Sequence, residues 1–321
     1  MIGEILTRAL MRLLILSPWV ISPPWWTPRT LYAFRPASAG PYPWRLEKDL
    51  VYDRRPEGPL RLDLYLPVKV GENLPAVLMI HGGGWVTGSK SSYRGLGRLL
   101  AGHGFAAAAF DYRLLTEAPW SAPLEDCLTA LSWLRSEGKR WGLDSERITL
   151  LGDSAGAHLA AMLALEVFPS IPIRGVIAYY GPFLLTEPAL PGWPRRCQEK
   201  LLGGPLEKPA VMERAKALSP VHLVSRTPPP FLLVHGELDS VVPFRSSELM
   251  AEALRTAGGE AQLVAVKGAE HGLFSLGRPS PSLIEIDRRT IAFLTTVTGL
   301  RNKDEEGKEQ KKVEKESMGV K

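Results

Sequence analysis

Cysteine is nearly absent: Cys127 and Cys197 are the only two thiols in 321 residues. That excludes the disulfide framework of a small secreted scaffold, and no Cys/His spacing suggests a metal cluster. The chain has no HExxH helix and no dinucleotide-type glycine fingerprint, so no metal and no organic cofactor is expected. Charge of one sign is also scarce. The 39 basic and 34 acidic side chains leave a formal charge of only +5. The basic residues are interleaved with acids, which argues against a nucleic-acid partner. Glycine and proline, 30 and 28 residues, together stay below the ~25–30% of low-complexity chains. With 45% apolar and 23% charged residues, the chain has the composition of a folded globular protein.

What is present is unevenly distributed. Seven prolines fall in residues 1–45 and ten in 182–230. Proline removes a backbone donor, so neither stretch suits the centre of a sheet. Within the first segment Ile2, Ile5, Leu6, Ala9, Leu10, Leu13 and Leu14 recur at helical spacing, with Glu4, Thr7, Arg8 and Arg12 opposite. Pro18 ends the pattern, and Trp19, Trp25 and Trp26 follow. A helix of about 15 residues spans only ~22 Å, too short to cross a hydrocarbon core. Three readings stay open for residues 2–16: a helix on a membrane surface or over the active site, a helix packed on the parent domain, and a degenerate signal or anchor. They carry the localisation with them, as cytoplasmic, peripherally membrane-associated, or secreted and anchored. Residues 301–321 hold seven basic and six acidic groups with few large apolar side chains, and are expected to be a solvated tail. The expected organisation is an N-terminal segment 1–45, a catalytic unit 46–300 with a proline-rich insertion 182–230, and the tail.

From about residue 46 apolar runs alternate with helical stretches. Strands are predicted at 60–66, 76–80, 105–110, 148–151, 173–179, 231–235 and 261–266. Helices are predicted near 92–101, 121–138, 155–167, 246–257 and 282–297. This order indicates an α/β fold whose mostly parallel sheet carries helices on both faces. The last helix has a capping pair, Ser282 with Glu285, and Gly299 just past its end. In such folds ligands bind beyond the carboxyl ends of the strands, and four of those ends are informative.

After ITLL comes Gly152-Asp153-Ser154-Ala155-Gly156 and then a helical run, the strand–turn–helix setting of a nucleophile elbow. After AVLMI comes His81-Gly82-Gly83-Gly84-Trp85, whose glycines let backbone N–H groups approach a reacting oxygen. Asp239 follows the strand FLLVH, and His271 follows AQLVAV. The order Ser154, Asp239, His271 suits nucleophilic acyl transfer: imidazole takes the serine proton, and a carboxylate fixes its tautomer. Glu237 and Glu270 are weaker candidates for the acid. His103, His222 and His235 read as structural, His81 belongs to the glycine loop and His158 to the helix after the elbow. Asp111-Tyr112-Arg113 reads as a structural ion pair or hydrogen bond, both cysteines as idle thiols, and the role of Asp153 stays open.

HGGGWVTGSK, FDYRL, GDSAGAHLA and the Asp239/His271 pair, spread over residues 46–298, resemble α/β-hydrolase carboxylesterases related to hormone-sensitive lipase and the acetyl-xylan-esterase-like enzymes. LVYDRRPEGPLRLDLYLP and SAGAHLA are also similar to isoprenylcysteine methylesterase and kynurenine formamidase relatives. The resemblance implies a small cap over the sheet and an oxyanion hole formed by the N–H groups of Gly83, Gly84 and Ala155. It implies hydrolysis of a small or lipid-like ester through an acyl-enzyme on Ser154. Trp85, Trp193 and the phenylalanine and leucines of PFLLTEPALPGW are candidates to line the substrate pocket. Two alternatives remain: a catalytically silent binding or receptor module on the same fold, and arylformamidase-type amide hydrolysis. The oligomeric state is not legible.

Overall fold

The computed structural model describes residues 40–68, 73–167, 170–224, 227–275 and 277–300. The segment 1–39, with the helix expected over 2–16, and the tail 301–321 lie outside the described residues.

Eight strands form one sheet: β1 (Trp44–Arg55), β2 (Gly58–Pro67), β3 (Leu74–Ile80), β4 (Ala106–Phe110), β5 (Leu143–Asp153), β6 (Ile173–Tyr179), β7 (Phe231–Gly236) and β8 (Ala261–Val266). Their spatial order is β1-β2-β4-β3-β5-β6-β7-β8. β1 pairs antiparallel with β2, and β2 antiparallel with β4. Every later pairing is parallel. The central strands read as continuous apolar runs because both of their faces are covered. In β3, Leu78 and Ile80 face one core with Ala106, Ala108, Leu150, Val176 and Leu233. Val77 and Met79 face the other, with Ala107, Leu151, Ile177, Leu232 and Val264.

Each core is closed by helices. On the first face lie α2 (Ser121–Glu137) and α3 (Ala155–Val167), with α1 (Arg94–Gly102) on the second. After β6 the chain forms α4 (Trp193–Leu202), α5 (Pro209–Ala217) and the single turn α6 (Pro220–Leu223). These three, together with α7 (Arg245–Thr256), cover the first face, while α8 (Leu283–Thr298) covers the second. Ser282 Oγ accepts the Glu285 N–H at 3.3 Å, and Gly299 ends α8 at φ 64°, as the sequence predicts.

Two features depart from the sequence reading. The edge strand β1 was not expected, and the proline-rich segment 182–230 carries three helices. Proline is tolerated in a first helical turn, where the N–H has no intrahelical acceptor. Each of α4, α5 and α6 carries a proline at one of its first two positions.

Between β6 and α4 the loop 181–192 has no strand partner, so its backbone groups need side chains instead. Ser246 Oγ accepts the Phe183 N–H and donates to the Gly181 carbonyl. Ser219 Oγ accepts the Leu185 N–H at 2.8 Å. The Gln198 amide donates to the Leu185 and Glu187 carbonyls, and its oxygen accepts the Ala189 N–H. Two helical side chains, Ser246 and Gln198, and Ser219 at the start of α6 thus fix an irregular loop beside the carboxyl ends of the strands.

Candidate active site

β5 delivers Ser154 on a sharp turn into α3. Ser154 adopts φ 51°, a left-handed conformation that costs a non-glycine residue free energy and is kept only where the surroundings enforce it. Here its N–H donates to the Tyr179 carbonyl at 2.8 Å. The flanking glycines allow the close approach. A Cβ on Gly156 would lie 1.9 Å from the Ile80 carbonyl oxygen, and one on Gly152 would lie 2.2 Å from the Gly156 oxygen.

The ends of β7 and β8 bring the other two candidates to the serine. His271 Nε2 lies 3.0 Å from Ser154 Oγ, and its Nδ1 lies 2.7 Å from Asp239 Oδ2. Asp239 is buried, and its Oδ1 accepts the N–H groups of Val241 and Val242, both at 2.8 Å. The competing acids go elsewhere: Glu237 is exposed, and Glu270 Oε2 accepts the N–H and hydroxyl of Ser240.

Electrostatics suit the arrangement. Burial alone would raise the Asp239 pKa, but the adjoining His271 and His235 reverse this and hold the carboxyl below its ordinary range. Burial likewise disfavours the His271 imidazolium, but Asp239, Asp153 and Glu270 outweigh it and raise the His271 pKa. Tyr180 meets the His271 ring edge-on at 4.8 Å.

Opposite the serine lies the glycine loop. Gly83 and Gly84 adopt φ 120° and 60°, conformations that L side chains rarely take. A Cβ at Gly84 would strike the Trp193 ring at 2.6 Å and Cys197 Sγ at 2.7 Å. The first glycine is used structurally: Asp153 Oδ1 accepts the Gly82 N–H at 3.0 Å and the Tyr93 hydroxyl at 2.6 Å. Asp153 therefore ties the glycine loop to the serine turn, a role the sequence left open. Its buried carboxyl has a raised pKa, chiefly through desolvation. Ala155 is the first residue of α3, so its N–H has no intrahelical acceptor.

A cavity of about 110 Å³ opens on Ser154. Trp85, Trp193, Leu184, Leu185, Val242 and Leu249 supply most of its apolar wall. Within PFLLTEPALPGW the leucines divide, because Leu190 is exposed and is not among the lining residues. Phe183 is the correction. It is fully buried in the core instead of lining the cavity, because Ser246 draws its backbone inward. Cys197 is part of the wall, its thiol pKa pushed up to about 12 by burial. Gln198, Ser246 and the Val241–Leu249 wall carry no motif that sequence reasoning could have used. The adjacent Val-Val-Pro after Asp239 was the nearest signal.

The remaining candidates serve the scaffold. Arg113 forks onto Asp126 with contacts of 2.7–3.2 Å, and the Tyr112 hydroxyl donates to the His81 carbonyl. His158 donates to the Leu218 carbonyl and packs edge-on against Trp85 at 5.2 Å, with its pKa lowered to about 4 by burial. Cys127 is on the buried side of α2. Among the described residues no group of three His, Cys, Asp or Glu side chains is placed to hold a metal ion. Among the same residues no helix is long and apolar enough to cross a membrane.

Known proteins place this geometry in context. A probable isoprenylcysteine alpha-carbonyl methylesterase of Oryza sativa subsp. japonica is 30% identical over 241 residues, covering 70% of this chain and 57% of its own. Esterase LipC of Mycobacterium tuberculosis is 29% identical, covering 62% and 53%. The chain thus spans about half the length of these curated relatives. Among solved structures, Thermogutta terrifontis esterase 2 phosphonylated by sarin superposes with a TM-score of 0.67 at 28% identity, covering 79% of this chain and 96% of that one. The same esterase has been solved with propionate and with butyrate bound. Residues 62–254, more than half of the chain, match the family described as BD-FAE. The chain belongs to the BD-FAE family and shares the α/β-hydrolase fold of these esterases.

Proposed function

We propose that the protein is a serine carboxylic-ester hydrolase with Ser154 as nucleophile, His271 as general base and acid, and Asp239 as the carboxylate that orients the imidazole. The observation that carries this reading is the continuous hydrogen-bonded chain from Ser154 Oγ through His271 to Asp239. Ser154 Oγ attacks the ester carbonyl carbon as its proton passes to His271 Nε2. The oxyanion is held by the N–H groups of Gly83, Gly84 and Ala155. His271 then protonates the departing alkoxide. A water deprotonated by the same nitrogen attacks the acyl-enzyme, releasing the acid and restoring the serine.

An apolar cavity walled by Trp85 and Trp193 suits an ester whose group beside the carbonyl is apolar. The propionate- and butyrate-bound esterase 2 structures support a short acyl group. Turnover across p-nitrophenyl esters of increasing acyl length is expected to be highest for the short chains. Ser154→Ala should abolish turnover while leaving the circular dichroism spectrum unchanged. An organophosphate should add one phosphonyl mass on the peptide carrying Ser154. Absence of both turnover and labelling in the wild type would instead favour a silent binding module. A kynurenine-type formamide in the same series tests amide hydrolysis.

The helical period of residues 2–16 supports contact with a membrane surface, and so access to lipid-like esters. Deleting residues 1–28 should lower liposome association or long-acyl turnover, and no change in either removes the idea.

A further inference from the structure

His235 was expected to be a structural histidine of β7, but its position suggests more. The ring is completely buried. Its Nδ1 lies 2.7 Å from Ser247 Oγ. Its Nε2 lies 3.0 Å from the Val242 carbonyl and 3.2 Å from Asp239 Oδ2. A carbonyl oxygen only accepts, so Nε2 must carry the proton, while Ser247 can supply a hydroxyl proton to Nδ1. The same Nε2–H lies 3.2 Å from Asp239 Oδ2, the oxygen that also receives His271 Nδ1–H.

Asp239 is therefore shared between two imidazoles. Its Oδ1 takes two backbone N–H groups, and its Oδ2 takes the His271 N–H with the His235 N–H close by. Each donor stabilises the negative charge and leaves less of it to hold the His271 imidazolium.

Resting on the hydrolase reading above, we propose that His235 is a positioning residue that fixes Asp239 and, by sharing its Nε2–H between the Val242 carbonyl and Asp239 Oδ2, lowers the basicity of His271. The other charges acting on His271 are Asp153 and Glu270, and Tyr180 faces it without charge. The contact between His235 and this group of charges runs through Asp239. Phe244, edge-on to the His235 ring at 5.7 Å, supplies packing alone.

The test compares His235→Leu, which removes the donor, with His235→Gln, whose amide reaches the Nε2 position and restores it. In the Leu variant the acid limb of kcat/KM should move to higher pH. Activity on that limb should then fall about threefold more than the plateau does, since half a pKa unit is about a threefold change. The proton NMR signal of His271 Nδ1–H should move downfield as its hydrogen bond to Asp239 strengthens. The Gln variant should keep the wild-type midpoint. A limb unmoved in the Leu variant, or moved equally in both, overturns the proposal. Should the Leu variant fail to fold, ¹⁵N imidazole shifts of the wild type decide: a protonated Nε2 with an unprotonated Nδ1 on His235 supports it, and the reverse tautomer overturns it. These NMR readings need no ester turnover, so they stand apart from failure of the Ser154 assignment.

Discussion

Gly156 has no freedom to be anything larger, since a methyl group there would overlap the Ile80 carbonyl oxygen. Gly156→Ala must push α3 away from β3, and the serine moves with it. Displacing a reacting group by about 1 Å can cost on the order of 100-fold in rate, so a comparable loss in kcat/KM is expected. Simple ester assays of the purified variant measure it. At His271 the sign of the pH dependence follows from its neighbours. As the proposed base, His271 works when neutral, and its pKa is raised by Asp239, Asp153 and Glu270 against the opposing effect of burial. Activity should therefore rise with pH through a midpoint above the ordinary histidine value of about 6.5. A kcat/KM profile with its midpoint below that value would contradict it. Asp153→Asn removes one of the charges that raise the midpoint and should move it down.

The loop after β6 shows how elements without sheet partners are kept in shape. Gln198 of α4 satisfies three backbone groups of residues 185–189. Gln198→Ala leaves the Leu185 and Glu187 carbonyls without that donor, at a cost of about 1–3 kcal/mol for an unsatisfied buried group. The expected result is a lowered Tm together with a larger loss of kcat/KM on butyryl than on acetyl esters, because the same loop walls the cavity.

This element also marks the limit of sequence reading. β3 to β7 were visible because both faces of their parallel pairings demand apolar runs, β2 and β8 because apolar residues recur along them, and the candidate site because its residues stand at strand ends. β1 was not visible: WRLEKDLVYDRR lies at the sheet edge, where charge is tolerated on the open side. The helices α4 to α6 were hidden by prolines that argue against strands but suit first helical turns. Cavity walls depend on which side chains meet across distant segments, as Gln198 and Leu249 do. No local pattern encodes that.

Across the molecule, the two antiparallel strands are joined to the parallel body by buried charge. Asp126 of α2 is fully buried and holds Arg113, which follows β4, while Arg55 of β1 approaches it at 3.5 Å. Lys90 binds both Asp49 and Asp63 at 2.7 Å, tying the stretch after the glycine loop to the hairpin. Removing one partner of a buried pair costs about 3–5 kcal/mol, and Arg113 keeps some water contact, which points to the lower end. Asp126→Ala should therefore lower Tm by several degrees with little effect on kcat, measured by calorimetry alongside ester turnover.

The left-handed turn at Ser154 has a consequence in time. Ser154 is held by the Tyr179 carbonyl of β6, and Gly156 sits against the Ile80 carbonyl of β3. Both contacts join residues far apart in sequence, and such contacts form late because loop closure must precede them. Helix can therefore return during refolding while the serine is still in a relaxed, unreactive conformation. Recovery of organophosphate labelling should lag behind recovery of the helical circular dichroism signal.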